Sequence, residues 1–138
     1  MQKALFLYNP AAGRGRIARN VGGIVDIFSE NGWELTPEKI DFGRNPFDAH
    51  PDIRMVVAAG GDGTVASVAY LLAETGIPLL PFPAGTANLL AMNLASPAEP
   101  HALAHLMREQ RLMDFDIGEI ELSNGERFGF SMIAGAGY

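Results

Sequence analysis

The chain alternates short apolar runs with longer stretches of helical spacing. Lys3 to Tyr8 is an almost unbroken apolar run stopped by Asn9-Pro10, the pattern of a buried strand. It is too short for a secretion signal, and no small-residue cleavage site follows. From Ile17 the period lengthens. Ile17, Val21, Ile24, Val25 and Phe28 share one face of an amphipathic helix, which Asn31-Gly32 ends. Residues 33–40, "WELTPEKI", predict a weaker strand interrupted by Pro37. Residues 42–52, "FGRNPFDAHPD", predict a loop with room for one helical turn. Arg54 to Ala59 predicts a second buried strand. The helical period returns from Thr64, with Val65, Val68, Ala69 and Leu72 on one face and Gly76 at the end. Ile77 to Phe82 predicts another strand. Ser96-Pro97-Ala98-Glu99 has the form of a capping box and introduces a helix through about Arg108. Past Arg111 nothing is helical, and two strands flank Ser123-Asn124-Gly125-Glu126, where Asn-Gly signals a hairpin.

Alternating strands and helices predict an α/β fold, a three-layer sandwich around a mainly parallel, Rossmann-like sheet. The pattern divides the chain into an α/β domain at residues 1–110 and the beginning of a β-rich second domain at 111–138. The second segment is too short to be a domain, so the sequence is expected to stop inside it. A length of 138 residues, 48 % of them hydrophobic and 19 % charged, is that of a globular domain with a real core. Trp33 and the phenylalanines belong in that core. The absence of cysteine excludes disulfides and thiolate metal sites and fits a reducing, cytoplasmic compartment. A net charge of −6 excludes bulk attraction to nucleic acid, so any anion needs a local site. No apolar run approaches the roughly 20 residues of a membrane span.

Three glycine-rich points follow the first, third and fourth predicted strands, where parallel sheets bind ligands. In "NPAAGRGR" Gly13 and Gly15 allow close backbone approach, and Arg14, Arg16 and Arg19 add positive charge. The spacing is neither a P-loop nor GxGxxG, and a solvated strand-to-helix turn is the plain alternative. "GGDGT", residues 60–64, is sharper. Gly60 and Gly61 are expected to take unusual backbone angles and, with Gly63, to leave Asp62 uncrowded for a ring or phosphate. Thr64 can cap the helix. Asp62 can hold Mg²⁺ through water beside a polyphosphate, or accept a proton from an attacking hydroxyl. An Asp-Gly turn with a threonine cap does not need three glycines. "PAGTAN" repeats the design with Gly85, Thr86 and Asn88, against the simpler reading of a turn and helix cap. His50, His101 and His105 form no cluster with carboxylates, and Asp114 and Asp116 share a strand face that solvation explains.

Taken together, Asn9-Pro10, "GGDGT" and "P-x-GT-x-N" at Pro83 to Asn88 resemble, in order and spacing, the catalytic domain of diacylglycerol kinases. This broad lipid-kinase family is related distantly to NAD kinases. The resemblance covers roughly residues 3 to 118, and "FSMIAGAGY" is similar to the family's strand near the start of the second domain. It implies ATP-dependent phosphorylation of a lipid hydroxyl, with this chain supplying the nucleotide-binding lobe. On it, Asn9, Pro10, Ala11, Ala12 and Gly13, together with Gly60, Gly61, Asp62, Gly63, Thr64, Val65 and Ala66, cradle the nucleotide. Gly85, Thr86 and Asn88 contribute from the third loop. Asp62 is the implied catalytic residue, indirect ligand of Mg²⁺. The implied partners are a nucleotide and a lipid held mostly by a second lobe, with transient peripheral membrane contact and, through exposed strand edges, a homodimer. Ser67, Leu89 and Met92 stand where many members have Glu, Asp and Arg. Those departures motivate a catalytically silent nucleotide-binding module as the alternative, and GGDGT recurs in NAD kinases, the third reading.

Overall fold

A computed structural model describes residues 1–41, 43–73, 75–83, 100–109, 118–121, 123–125 and 127–130. Strands β1 (Gln2–Tyr8), β2 (Trp33–Lys39), β3 (Met55–Gly60) and β4 (Leu79–Pro83) form one parallel sheet in the order β2-β1-β3-β4. Helix α1 (Arg16–Glu30) joins β1 to β2, α2 (Asp62–Leu72) joins β3 to β4, and α3 (Pro100–Glu109) follows β4. Strands β5 (Gly118–Glu121) and β6 (Arg127–Phe130) make an antiparallel hairpin.

The two-residue period of β1 and β3 feeds both faces of the sheet. Ala4 and Phe6, with Met55, Val57 and Ala59, pack under α1 and α3 through Ile17, Ile24, Phe28, Leu103 and Met107. Leu5 and Leu7, with Val56 and Ala58, pack under α2 through Val65, Val68 and Leu72. Every residue of β3 is buried, as its unbroken apolar run requires of a central strand covered on two sides. Trp33 and Phe28 lie in the first cluster as expected, and Phe82 meets Phe6 edge-on at 5.9 Å. Burial of each such side chain contributes about 1.5–3 kcal/mol, which fixes the three-layer order.

α1 is amphipathic because one of its faces is wet. α2 lacks a charged face beyond Asp62, and β6 lies along it, so it is covered on a second side. α1 ends as expected: the Asn31 and Gly32 amides donate to the Phe28 and Ser29 carbonyls, and Gly32 takes φ +89°. Gly125 at the hairpin turn has φ +88°. The expected interruption at Pro37 does not occur. β2 runs straight through it, with Pro37 opposite Phe6. Among the described residues β2 is an edge strand, where alternate amides face away from the neighbouring strand and a missing N–H costs no ladder bond. α2 begins at Asp62, two residues before the expected start.

Chain direction reverses between β1 and β3. From β1 the chain moves outward to β2 with α1 on one face. From β3 it moves the other way to β4 with α2 on the opposite face. Opposite directions with helices on opposite faces give the two crossovers the same hand, as expected where one hand is favoured by strand twist. The crevice at the carboxyl ends of β1 and β3 is therefore the topological switch point of the sheet.

Candidate functional site

The first two glycine-rich loops meet at that switch point. The Asn9 amide donates to the Ala59 carbonyl at 3.0 Å, tying the exit of β1 to the last turn-in of β3. Asn9 also builds the loop that follows. Its Oδ1 accepts the Ala11 amide at 3.0 Å, and its carbonyl accepts the Ala12 amide at 3.0 Å. Pro10, Ala11 and Gly13 are exposed on this turn and Ala12 is half-buried. A short 3₁₀ segment, Ala12–Gly15, then enters α1 through three successive left-handed residues: Gly13 at φ +59°, Arg14 at +57° and Gly15 at +79°. Arg14 is the strained member, since a side chain there crowds its own backbone. Arg19, one turn into α1, reaches back and donates from Nη1 to the Arg14 carbonyl at 3.0 Å. Arg14, Arg16 and Arg19 all lie exposed beside this loop, a local positive charge in an acidic chain.

The second loop is shorter and differently built than its glycines suggest. Gly60, Gly61 and Gly63 all have negative φ, so the unusual angles expected of them are absent. Gly61 is extended at φ −78°, ψ −178° and is the N-cap of α2. It has no side chain to offer, so Thr64 does not cap the helix; the first helical bond is Val65 N–H to the Gly61 carbonyl at 3.1 Å. The need for glycine at 60 is steric. A Cβ built there would lie 2.7 Å from Thr64 Cβ and Cγ2 and 2.9 Å from its Oγ1. The space beside Gly60 thus belongs to the protein's own threonine. Gly15 in the first loop is required for a different reason: its φ of +79° strains any side chain, while the nearest atom to its missing Cβ is the movable end of Arg19, 3.1 Å away. Gly63 is different: nothing lies within 4 Å of the Cβ it lacks, and it is exposed in the first turn of α2. Glycine there weakens a helix by about 1 kcal/mol against alanine without any requirement of the fold.

Asp62 is half-buried at the first position of α2, at the positive end of the helix dipole. Val65 and Ala66 follow as buried residues, with Val65 under the sheet. Ser67 donates its hydroxyl to the Gly63 carbonyl at 2.9 Å, along the helix. Gly85, Thr86 and Asn88, like Leu89, Met92, Asp114 and Asp116, lie outside the described residues. β4, the strand before Gly85 in the sequence, ends at Pro83, one strand from the switch point.

A model of the diacylglycerol kinase catalytic domain matches residues 3–120. The chain belongs to the diacylglycerol kinase catalytic-domain family. A diacylglycerol kinase of Mycobacterium tuberculosis is 30% identical over 99% of this chain and 46% of its own length. One from Bacillus subtilis is 28% identical over 72% of this chain and 35% of its own. The crystal structure of a diacylglycerol kinase from Bacillus anthracis superposes with a TM-score of 0.63 at 26% identity, covering 84% of this chain and 42% of that one. The chain spans less than half the length of these relatives. The relatives in this family are kinases by name, a class of transferase.

One cluster was not visible in the sequence, and it corrects the expectation that His50 stands apart from carboxylates. Glu38, near the end of β2, holds His50 Nε2 at 2.8 Å on Oε2 and Arg44 Nη2 at 2.9 Å on Oε1. These contacts fasten the 43–53 loop over the sheet, where Phe47 and Ile53 pack onto the α2-side core. Twelve residues separate Glu38 from His50, so no local pattern announces the pair. His101 and His105 are exposed on α3. Among the described residues no three His, Cys, Asp or Glu side chains group as a metal site, and no helix is long and apolar enough to cross a membrane.

Proposed function

We propose that this chain is the nucleotide-binding lobe of an ATP-dependent lipid kinase that transfers the γ-phosphate to a lipid hydroxyl. The observation that carries the reading is the meeting of the Asn9–Gly13 turn and the start of α2 at the switch point, tied by the Asn9–Ala59 hydrogen bond. The open space beside Gly63, at the N-terminus of α2, leaves room for phosphate oxygens against the positive end of the helix. Arg14, Arg16 and Arg19 raise the local concentration of an anion. Gly85, Thr86 and Asn88 complete the cradle from the third loop.

Asp62 suits a magnesium ion bound through water alongside the nucleotide phosphates, the coordination Mg²⁺ favours over an all-protein cage. The ion neutralises phosphate charge when bound. The chain's own contribution is positioning: rigid strand ends fix the loops, and Asp62 is held at one edge of the space they enclose. Phosphoryl transfer depends on such positioning more than on covalent chemistry. The lipid acceptor, its hydroxyl-activating base and the transient membrane contact belong to a second, β-rich lobe beginning near residue 111. Pairing of exposed strand edges between two chains is the homodimer this arrangement favours.

A catalytically silent nucleotide-binding module is the second reading, and Ser67 favours it. Where many family members have Glu, this residue is short and spends its hydroxyl on the helix backbone. Calorimetric titration of Mg²⁺-ATP, with NAD in parallel and Asp62→Asn as control, tests the nucleotide site. Saturable ATP binding weakened about tenfold or more by Asp62→Asn is expected, the loss of a charge-assisted contact. Binding of NAD alone, or of neither ligand by a folded sample, refutes the site. Phosphorylation of lipid vesicles by a protein containing both lobes separates the kinase from the silent module.

A further inference from the structure

The first turn of α2 is not held by a side-chain cap. Its N-cap is a glycine without a side-chain bond, and its second residue, Gly63, is a glycine with open space around it. Yet Asp62 sits between them. The helix takes hold of the sheet through the next two residues: Val65 enters the core, 4% exposed, and Thr64 turns back onto the last residue of β3. All three side-chain heavy atoms of Thr64 lie within 2.9 Å of the Cβ position that Gly60 leaves vacant. A side chain in that contact resists both rotation of the first turn and its lift from the strand end.

We propose that Thr64 is a positioning residue: it sets the angle at which α2 leaves β3, and thereby the place of Asp62 and the Gly63 surface, by its shape against Gly60 and not by its hydroxyl. The proposal rests on the reading of this crevice as the nucleotide site. It assigns Gly60 and Thr64 to one interlocking pair within the motif, leaving Asp62 and Gly63 as the part presented to a ligand. A close contact of this kind matters because displacement of a binding group by about 1 Å costs up to about a hundredfold in function.

The test pairs two substitutions with two readouts on the whole chain. Thr64→Ala removes Cγ2 and Oγ1. Thr64→Val keeps the branched shape and removes only the hydroxyl. Amide exchange of Val65, whose N–H bonds the Gly61 carbonyl, reports the first turn without any ligand. Calorimetry with Mg²⁺-ATP reports the site. Thr64→Ala is expected to speed exchange at Val65 about tenfold with the Leu72 end of the helix unmoved, and to weaken Mg²⁺-ATP by about tenfold, short of the full misplacement cost. Thr64→Val is expected to rescue both. A valine variant as impaired as the alanine variant overturns the proposal, since the hydroxyl would then be what matters. So does wild-type exchange at Val65 in the alanine variant. Failure of the wild-type chain to bind Mg²⁺-ATP overturns the site reading and the binding half of the proposal, while the exchange comparison still decides whether Thr64 holds the turn.

Discussion

Replacing Glu38 by alanine offers a sharp check on how the loop beside the site is held. One carboxylate serves two partners of different exposure. Its own side chain is 21% exposed, His50 22% and Arg44 68%. The Arg44 contact is therefore largely a surface ion pair, worth below about 1 kcal/mol and screened by salt. The His50 contact, at 2.8 Å between two half-buried groups, is a hydrogen bond to a carboxylate, worth about 1.5 kcal/mol at this exposure. Truncating Glu38 also leaves His50 Nε2 without that acceptor. The expected loss is about 2 kcal/mol, a fall of about 8 °C in Tm for a chain of this size. Urea unfolding of the single and double mutants with His50→Ala and Arg44→Ala apportions the loss. The coupling of Glu38 to His50 is expected to exceed that to Arg44, and only the Arg44 coupling is expected to fade in high salt. A loss below about 0.5 kcal/mol, the ordinary level for a surface substitution, refutes the reasoning. An Arg44 coupling equal to or above that of His50 does the same.

Three further outcomes follow from the geometry. Gly60→Ala has to open a 2.7 Å contact to at least 3.4 Å, and overpacking of this kind is expected to cost about 1–3 kcal/mol in chemical unfolding. Adding Thr64→Gly is expected to recover at least about half of that, as a measured coupling between touching residues. Arg14→Gly removes a left-handed strain of about 1 kcal/mol and adds slightly less unfolded-state entropy, so it is expected to be more stable than Arg14→Ala, which keeps the strain. A glycine variant less stable than the alanine variant in urea contradicts this. Lys3 and Asp52 pair at 2.8 Å on the exposed surface. Their hydrogen bond and charges hold the Asp52 carboxyl below its ordinary value of 3.8 and the Lys3 ammonium above its ordinary 10.5. The lowered carboxyl stabilises above its unfolded value and fails as pH falls through the folded one; the raised ammonium stabilises below its unfolded value and fails as pH rises through the folded one. A small stability difference between wild type and Lys3→Met is expected between those limits and is expected to vanish in strong acid, by pH-dependent unfolding at low salt.

The elements that periodicity specifies were legible in the chain. An apolar run from Lys3 to Tyr8 has to be a buried strand, and the spacing of Ile17, Ile24 and Phe28 puts one face of a helix against it. Asn31-Gly32 and Asn124-Gly125 stop and turn the backbone by local conformational preference alone. The family and the location of two loops at strand ends were equally legible, because the motif residues sit at fixed offsets from those elements. Three features depended on contacts between segments. Pro37 was compatible with a strand only because β2 lies at the edge, and strand order is decided by which crossover each helix makes. His50 met Glu38 only once the 43–53 loop packed Phe47 and Ile53 onto the core. The glycines of GGDGT were read as clearance for a ligand, yet Gly60 clears room for Thr64, four residues along. Hydrophobic period and turn chemistry act over a few residues, so the sequence alone determines elements and their order. Which side chain fills a given gap is a question of distance in space, and only the tertiary packing of helix against strand decides it.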